Sequence, residues 1–152
     1  MSQYLFREAV ETDLTAIIAL LADDQLGQSR EHVSDPPHRS YQEAFQAISV
    51  DPNQLMAVAA VEQEIVGCLQ LSFIPGLSRR GMWRGQFESV RIAASHRGAG
   101  LGQSMLDWAL EKCRARGCEL VQLTTDKMRP DAIRFYERLG FSASHEGMKL
   151  AL

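Results

Sequence analysis

Apolar residues recur along the chain with two different periods, and the switches between them mark out the elements. Gln3 to Ala9 alternates, with Tyr4 and Phe6 on one face, and predicts a short strand. Thr12 then offers a side-chain oxygen as an N-cap. Leu14, Ile17, Ile18 and Leu21 follow at the spacing of an amphipathic helix that stops near Asp23-Asp24. Residues 25–40 are polar and contain Pro36-Pro37, which predicts a long loop with helical pieces. Tyr41 to Ser49 reads as a second helix, ended by the Asp51-Pro52-Asn53 turn. Two β-rich runs, Leu55 to Val61 and Ile65 to Phe73, flank Glu62-Gln63-Glu64 and predict an antiparallel hairpin. After a polar connection over Pro75 to Gly81, Arg84 to Ile92 is a further strand.

The second half reads strand–helix–strand–helix–strand. A helix from about Gly100 to Arg116 carries one apolar row of Leu106, Leu110 and Cys113 and another of Met105, Trp108 and Ala109. Its last turns are basic, and Gly117 follows. Glu119 to Thr125 predicts a strand, and Pro130 to Leu139 a helix with proline in its first turn and Gly140 just past its end. Phe141 to Ser144 and Met148 to Leu150 predict short final strands. The order of elements is that of an α/β domain with a mixed sheet.

Length and composition narrow the class. At 152 residues, 45% of them hydrophobic, the chain suits one compact domain over residues 1–152. The longest uncharged stretch near the middle, Ile65 to Ser78, holds 14 residues including Gln70, Pro75 and Gly76. A spanning helix needs about 20 apolar residues, so no membrane association is expected. The first residues carry no signal-peptide core. Cys68, Cys113 and Cys118 match no metal-ligand spacing and read as reduced thiols of a cytoplasmic protein; no metal is expected. Net charge is −3, but residues 1–75 hold −8 and residues 76–152 hold +5. Such a split suits an anion held by one part and a cation met by the other.

The anion site is legible at Val90 to Gln103, V-R-I-A-A-S-H-R-G-A-G-L-G-Q, where a strand ends, glycines crowd a loop and a helix begins. Gly98, Gly100 and Gly102 let the backbone bend around a ligand and aim N–H groups at it. The helix start adds unpaired N–H groups and the positive end of its dipole, a site for phosphate oxygens. A Walker loop would need Lys-Ser/Thr where Gln103-Ser104 stands, and the G-x-G-x-G spacing is not the dinucleotide fingerprint G-x-G-x-x-G.

Arg97-Gly98-Ala99-Gly100-Leu101-Gly102 resembles the Arg/Gln-x-x-Gly-x-Gly/Ala signature of the GNAT superfamily of N-acetyltransferases. Ala132 to Phe141 (AIRFYERLGF) resembles the same family's Ala-x-x-Phe/Leu-Tyr-Glu-x-Leu-Gly-Phe segment, in the expected order and spacing. The resemblance covers essentially the whole chain. It implies a central, mostly antiparallel mixed sheet splayed at an acetyl-CoA site, with helices on both faces. It also implies that Val90, Arg91, Ile92, Arg97, Gly98, Ala99, Gly100, Leu101, Gly102 and Gln103 hold acetyl-CoA. Where the family often has a cofactor-contacting Asn, this chain has Asp126, which when ionised only accepts hydrogen bonds.

Acetyl transfer needs a free amine, so the site must remove a proton, stabilise an oxyanion and supply a proton to the departing thiolate. Glu88, on the strand leading to the glycine loop, is the candidate base; resembling enzymes often carry a carboxylate there. Tyr136 is the candidate acid. Backbone N–H groups of Val90 to Ile92 are candidate oxyanion donors if the strand bulges there as in the family. By the same analogy residues 25–41 and the edge of the central strand line the acceptor cleft. The acidic bias of residues 25–41 suits a cationic amine, while Arg30 could grip a carboxylate. The four histidines, Trp83, Trp108, Cys113 and the Arg79-Arg80 pair read as structural or solvated. The expected partner is a small-molecule amine, with a peptide amine or a non-catalytic CoA sensor as alternatives. No nucleic acid is expected, and a homodimer through the late strands is left open.

Overall fold

The computed structural model describes residues 3–152, which form two compact units, one ending at Gln122 and the other running from Leu123 to Leu152. The first holds β1 (Leu5–Glu8), α1 (Leu14–Ala22), α2 (Gln25–Arg30), α3 (Arg39–Val50), β2 (Gln54–Val61), β3 (Glu64–Pro75), a single turn α4 (Ser78–Gly81), β4 (Trp83–Ile92) and α5 (Leu101–Ala115). Strand β5 (Leu120–Leu123) follows, its last residue opening the second unit, and the sheet order is β1-β2-β3-β4-β5. The first three neighbouring pairs are antiparallel. Along β4 and β5, Glu119 N–H donates to Trp83 C=O and Gln122 to Gln86, so residue numbers rise together and these two strands run parallel. The sheet is therefore mixed, as expected.

Cross-strand register assigns each side chain to a face. Met56, Val58 and Cys68 lie on one face beneath Ile17 and Leu20 of α1, with Phe45 and Ile48 of α3 packed alongside. Ala57, Leu69, Leu71 and Phe87 point to the other face, where Phe6 of β1 meets Trp108 of α5 at 6.3 Å between rings. Both faces are thus covered, and the inner strands read as nearly continuous buried runs. Of the two apolar rows expected on α5, Met105, Leu106, Ala109 and Cys113 are buried, while Trp108 and Leu110 are half-buried. Cys113 Sγ lies only 2.5 Å from where a Cβ on Gly85 would stand. Helix and strand approach at the limit that glycine permits.

Thr12 does not cap α1. It sits inside a 3₁₀ turn, Glu11–Asp13, and the carboxylate of Asp13 takes the Val10 N–H at 2.8 Å. Asp13, 7% exposed, also receives both nitrogens of the Arg7 fork, at 2.7 and 3.0 Å. A carboxylate satisfies three donors here where a hydroxyl would satisfy one. The Arg7 hydrogen bond holds the Asp13 carboxyl below its ordinary range, with the Val10 N–H and the Arg7 charge adding to it against burial. Such stability is present above the unfolded carboxylate pKa and is lost as pH falls through the lower folded value. Asp13→Ala should cost about 1–2 kcal/mol at neutral pH, between exposed and buried ion pairs. Its deficit should narrow below about pH 4, which urea denaturation at the two pH values checks.

The second unit contains α6 (Pro130–Arg138), preceded by a turn and ended by Gly140 at φ +94°. The expected strands Phe141 to Ser144 and Met148 to Leu150 do not form; both segments are irregular. Met148 and Leu150 alternate as strand residues would, but they are 93% and 86% exposed. Alternation specifies a strand only where a neighbour takes its hydrogen bonds and buries one face.

Candidate active site

Strand β4 breaks its own pleat. Gln70 of β3 pairs with Glu88, but Cys68, two residues earlier on β3, pairs with Arg91, three residues later on β4. The extra residue is accommodated at Ser89, whose φ is +55°. This is the β-bulge on which the oxyanion expectation depended, and a left-handed non-glycine residue carries strain of order 1–3 kcal/mol. Because of the bulge, Glu88 and Arg91 share the α1 face although two residues, Ser89 and Val90, stand between them. Strand β5 ends at Leu123, one residue past the Gln122–Gln86 pair, so the Val90–Ile92 end of β4 runs beyond it. The sheet opens on that side.

Glu88 is exposed and makes no hydrogen bond or ion pair among the described residues. Arg91 turns its side chain to Asp24, the N-cap of α2, with Nε 3.7 Å from Oδ2 and both groups about four-fifths buried. Its Nη1 donates to the Val90 carbonyl at 3.0 Å. Arg97 braces the loop from outside: its Nε donates to Ile92 C=O at 3.1 Å and its Nη2 lies 4.0 Å from Asp23.

Gly98 and Gly100 have φ of +79° and +81°, and a Cβ on either would meet nothing within 4 Å. The loop therefore presents bare backbone to open space. Gly100 is the N-cap of α5 and has no side chain to satisfy the first-turn N–H groups. Leu101, 1% exposed, anchors the helix start in the core, while Ala99 and Gln103 are exposed. Gly102 lies within the first turn of α5 and has no left-handed φ, contrary to the uniform reason given for the three glycines. This donor set fits the phosphates of coenzyme A.

In the second unit, Asp126 Oδ1 accepts the Met128 N–H at 2.9 Å and its carbonyl accepts the Arg129 N–H at 2.9 Å, forming the turn that leads into α6. An Asn oxygen could accept the same bond, so the turn does not itself demand the charge. Tyr136 is half-buried between Phe135 and Phe141, with ring centroids at 5.2 and 5.7 Å, both edge-on. The motif's aromatic residues thus pack on one another across the helix end.

Further polar residues, outside both motifs, share the Glu88 face. Gln54, Gln70, Ser72, Gln86 and Gln122 all lie on it. The signal was available, since Gln70 and Ser72, then Gln86 and Glu88, fall at every second position of their strands. Residues 25–41 are more ordered than a loop: Asp24 caps α2 through the Gly27 N–H at 2.5 Å. The Tyr41 hydroxyl ties Glu31 at 2.7 Å to the His32 N–H at 2.9 Å. Among the described residues no cluster of His, Cys, Asp or Glu is placed to hold a metal, and no helix is long and apolar enough to cross a membrane.

Residues 15–141 match the acetyltransferase (GNAT) family. The chain is 33% identical over 108 residues to an aminoalkylphosphonate N-acetyltransferase of Salmonella typhimurium, covering 71% of this chain and 70% of that one. It is 38% identical over 88 residues to a glucosamine 6-phosphate N-acetyltransferase of Trypanosoma brucei brucei, 58% of each chain. A crystal structure from Bacillus halodurans, described as a transcriptional regulator, superposes with a TM-score of 0.96 at 49% identity, over 99% of this chain and 100% of that one. The bulged strand, the glycine loop at a helix N-terminus and the downstream aromatic helix agree with these likenesses: the chain belongs to the GNAT family and is an acetyl-CoA-dependent N-acetyltransferase.

Proposed function

We propose that the chain, as one domain over residues 1–152, acetylates the primary amine of a small molecule in the cytoplasm, with Glu88 as base and Tyr136 as acid. The observation that carries this reading is the bulge, which sets an exposed carboxylate at the point where β4 leaves its neighbour and runs into the glycine loop. Glu88 takes the proton of the attacking ammonium, directly or through one water. Backbone N–H groups of Val90 to Ile92 face the developing oxyanion. The pyrophosphate of acetyl-CoA rests on the N–H groups from Gly98 to Gln103, with Arg97 bracing the loop, and Asp126 takes the place of the family's usual Asn. As the carbon–sulfur bond breaks, Tyr136 gives its phenolic proton to the thiolate. Both curated relatives are named for small amines, which supports the acceptor class. Neither nucleic acid nor membrane enters this reading, and a homodimer is compatible with it.

The test is thiol release from acetyl-CoA over a panel of small amines and peptide N-termini. Faster release with peptides would move the acceptor class to proteins. Tyr136→Phe removes only the hydroxyl; kcat and kcat/KM for the amine should fall together while acetyl-CoA affinity holds. Weakened acetyl-CoA binding with unchanged kcat would make Tyr136 a binding group.

A further inference from the structure

The face that carries Glu88 changes character along the sheet. Beneath α1 it is apolar, with Met56, Val58 and Cys68 at 7% exposure or less. Past Cys68 it turns polar, through Gln70 and Ser72 on β3, Gln86 and Glu88 on β4, and Gln122 on β5. The glutamines are half-buried and Ser72 is 5% exposed. Amides withdrawn from water are costly unless their hydrogen bonds are made.

Here they are half made. Gln122 Nε2 donates to Gln86 Oε1 at 2.8 Å, which leaves the Gln86 amino group and the Gln122 carbonyl unused among the described residues. Gln70 Nε2 donates to Gln54 Oε1 at 3.2 Å, and Ser72 Oγ donates to the same oxygen at 2.9 Å, which leaves the Gln70 carbonyl unused. Two of these open groups adjoin the proposed base. Gln70 sits directly across from Glu88, and Gln86 lies two residues before it on the same strand face. Spacings of about 5 Å across strands and about 7 Å along one place all three within the footprint of one small molecule. The strip offers one donor group and two acceptors, all neutral. A hydroxyl both donates and accepts, so neighbouring hydroxyls satisfy it, whereas an alkyl chain would leave every amide unpaired; two cations of this face, Arg84 and Arg91, flank the strip at its two ends.

We propose that Gln70, Gln86 and Gln122 form the acceptor-recognition strip, and that the acceptor is a hydroxylated primary amine of the amino-sugar class. The inference rests on Glu88 as the proposed base. Its test compares glucosamine with cyclohexylamine, a ring amine without hydroxyls, at equal free-base concentration. Wild-type protein should favour glucosamine at least tenfold in kcat/KM. Gln86→Met and Gln70→Met should each lower the glucosamine value about five- to tenfold, the worth of one neutral hydrogen bond. The cyclohexylamine value and the KM for acetyl-CoA should hold. Gln86→Asn, which retracts the amide without removing it, should give the same split if a Met variant folds poorly. Equal losses with both amines, or no loss with glucosamine, would overturn the strip and leave the transferase reading standing. Absence of thiol release from every amine would remove that reading, and the strip with it.

Discussion

Glu88→Gln should lower kcat about 10²–10⁴-fold, the usual contribution of a positioned general base, while acetyl-CoA affinity stays as it was. The substitution keeps the shape and hydrogen-bonding reach of the side chain and removes its basicity. Glu88 is exposed and makes no hydrogen bond or ion pair among the described residues, so fold and stability should be unaffected. The defect should depend on pH. Well below the amine's own pKa, near 10 for a lysine-like group, nearly every acceptor arrives protonated and the base is needed at each turnover. As pH approaches that value the free amine supplies itself, and variant and wild type should converge. A kcat–pH profile of both proteins with one acceptor reads this out. A loss below tenfold, constant across pH, would assign proton removal to water or another group.

Gly100→Val should weaken acetyl-CoA binding about 10- to 10²-fold, the loss of one or two hydrogen bonds to a charged oxygen. Gly100 sits at φ +81°, where a β-branched residue is strained, so the loop would relax to another conformation and turn its N–H groups aside. The space beyond its Cβ position is open, so the protein has room to fold. What that space would lose is the approach of a phosphate. Calorimetric titration with acetyl-CoA, beside a melting curve, separates the two effects. Gly102→Val tests the loop differently, since Gly102 is helical and only the bulk of the new side chain acts. Unchanged affinity in both variants would place the pyrophosphate elsewhere.

The sequence was most informative where local chemistry alone decides the structure. Gly117 and Gly140 end their helices at φ +77° and +94°, as glycine just past an amphipathic run requires. The apolar rows of α5 bury as their spacing dictates. The bulge at Ser89 could be expected only by family analogy, because no residue there announces it; register is settled by pairing partners, not by the strand's own composition. Thr12 misled because a capping hydroxyl is a local signal, whereas Asp13 won by joining Arg7 from β1, a partner that only the folded chain supplies. The last apolar alternation, through Met148 and Leu150, predicts a strand that fails for the same reason in reverse: the pattern is present and a neighbour is not.

The contact of Gly85 with Cys113 has a mechanical meaning. Helix α5 has 15 residues, so it is a rod of about 22 Å at 1.5 Å per residue. One end is seated on a glycine of β4 and the other end is the proposed phosphate cradle. The seat acts as a fulcrum, since Cys113 already rests where a methyl group on Gly85 would have to go. A methyl there would lift the seated end by a fraction of an ångström, and a stiff rod carries that tilt to its far tip. The hydrogen on Gly85, some 20 Å along the rod from Gly100, therefore sets the aim of amides that it never approaches.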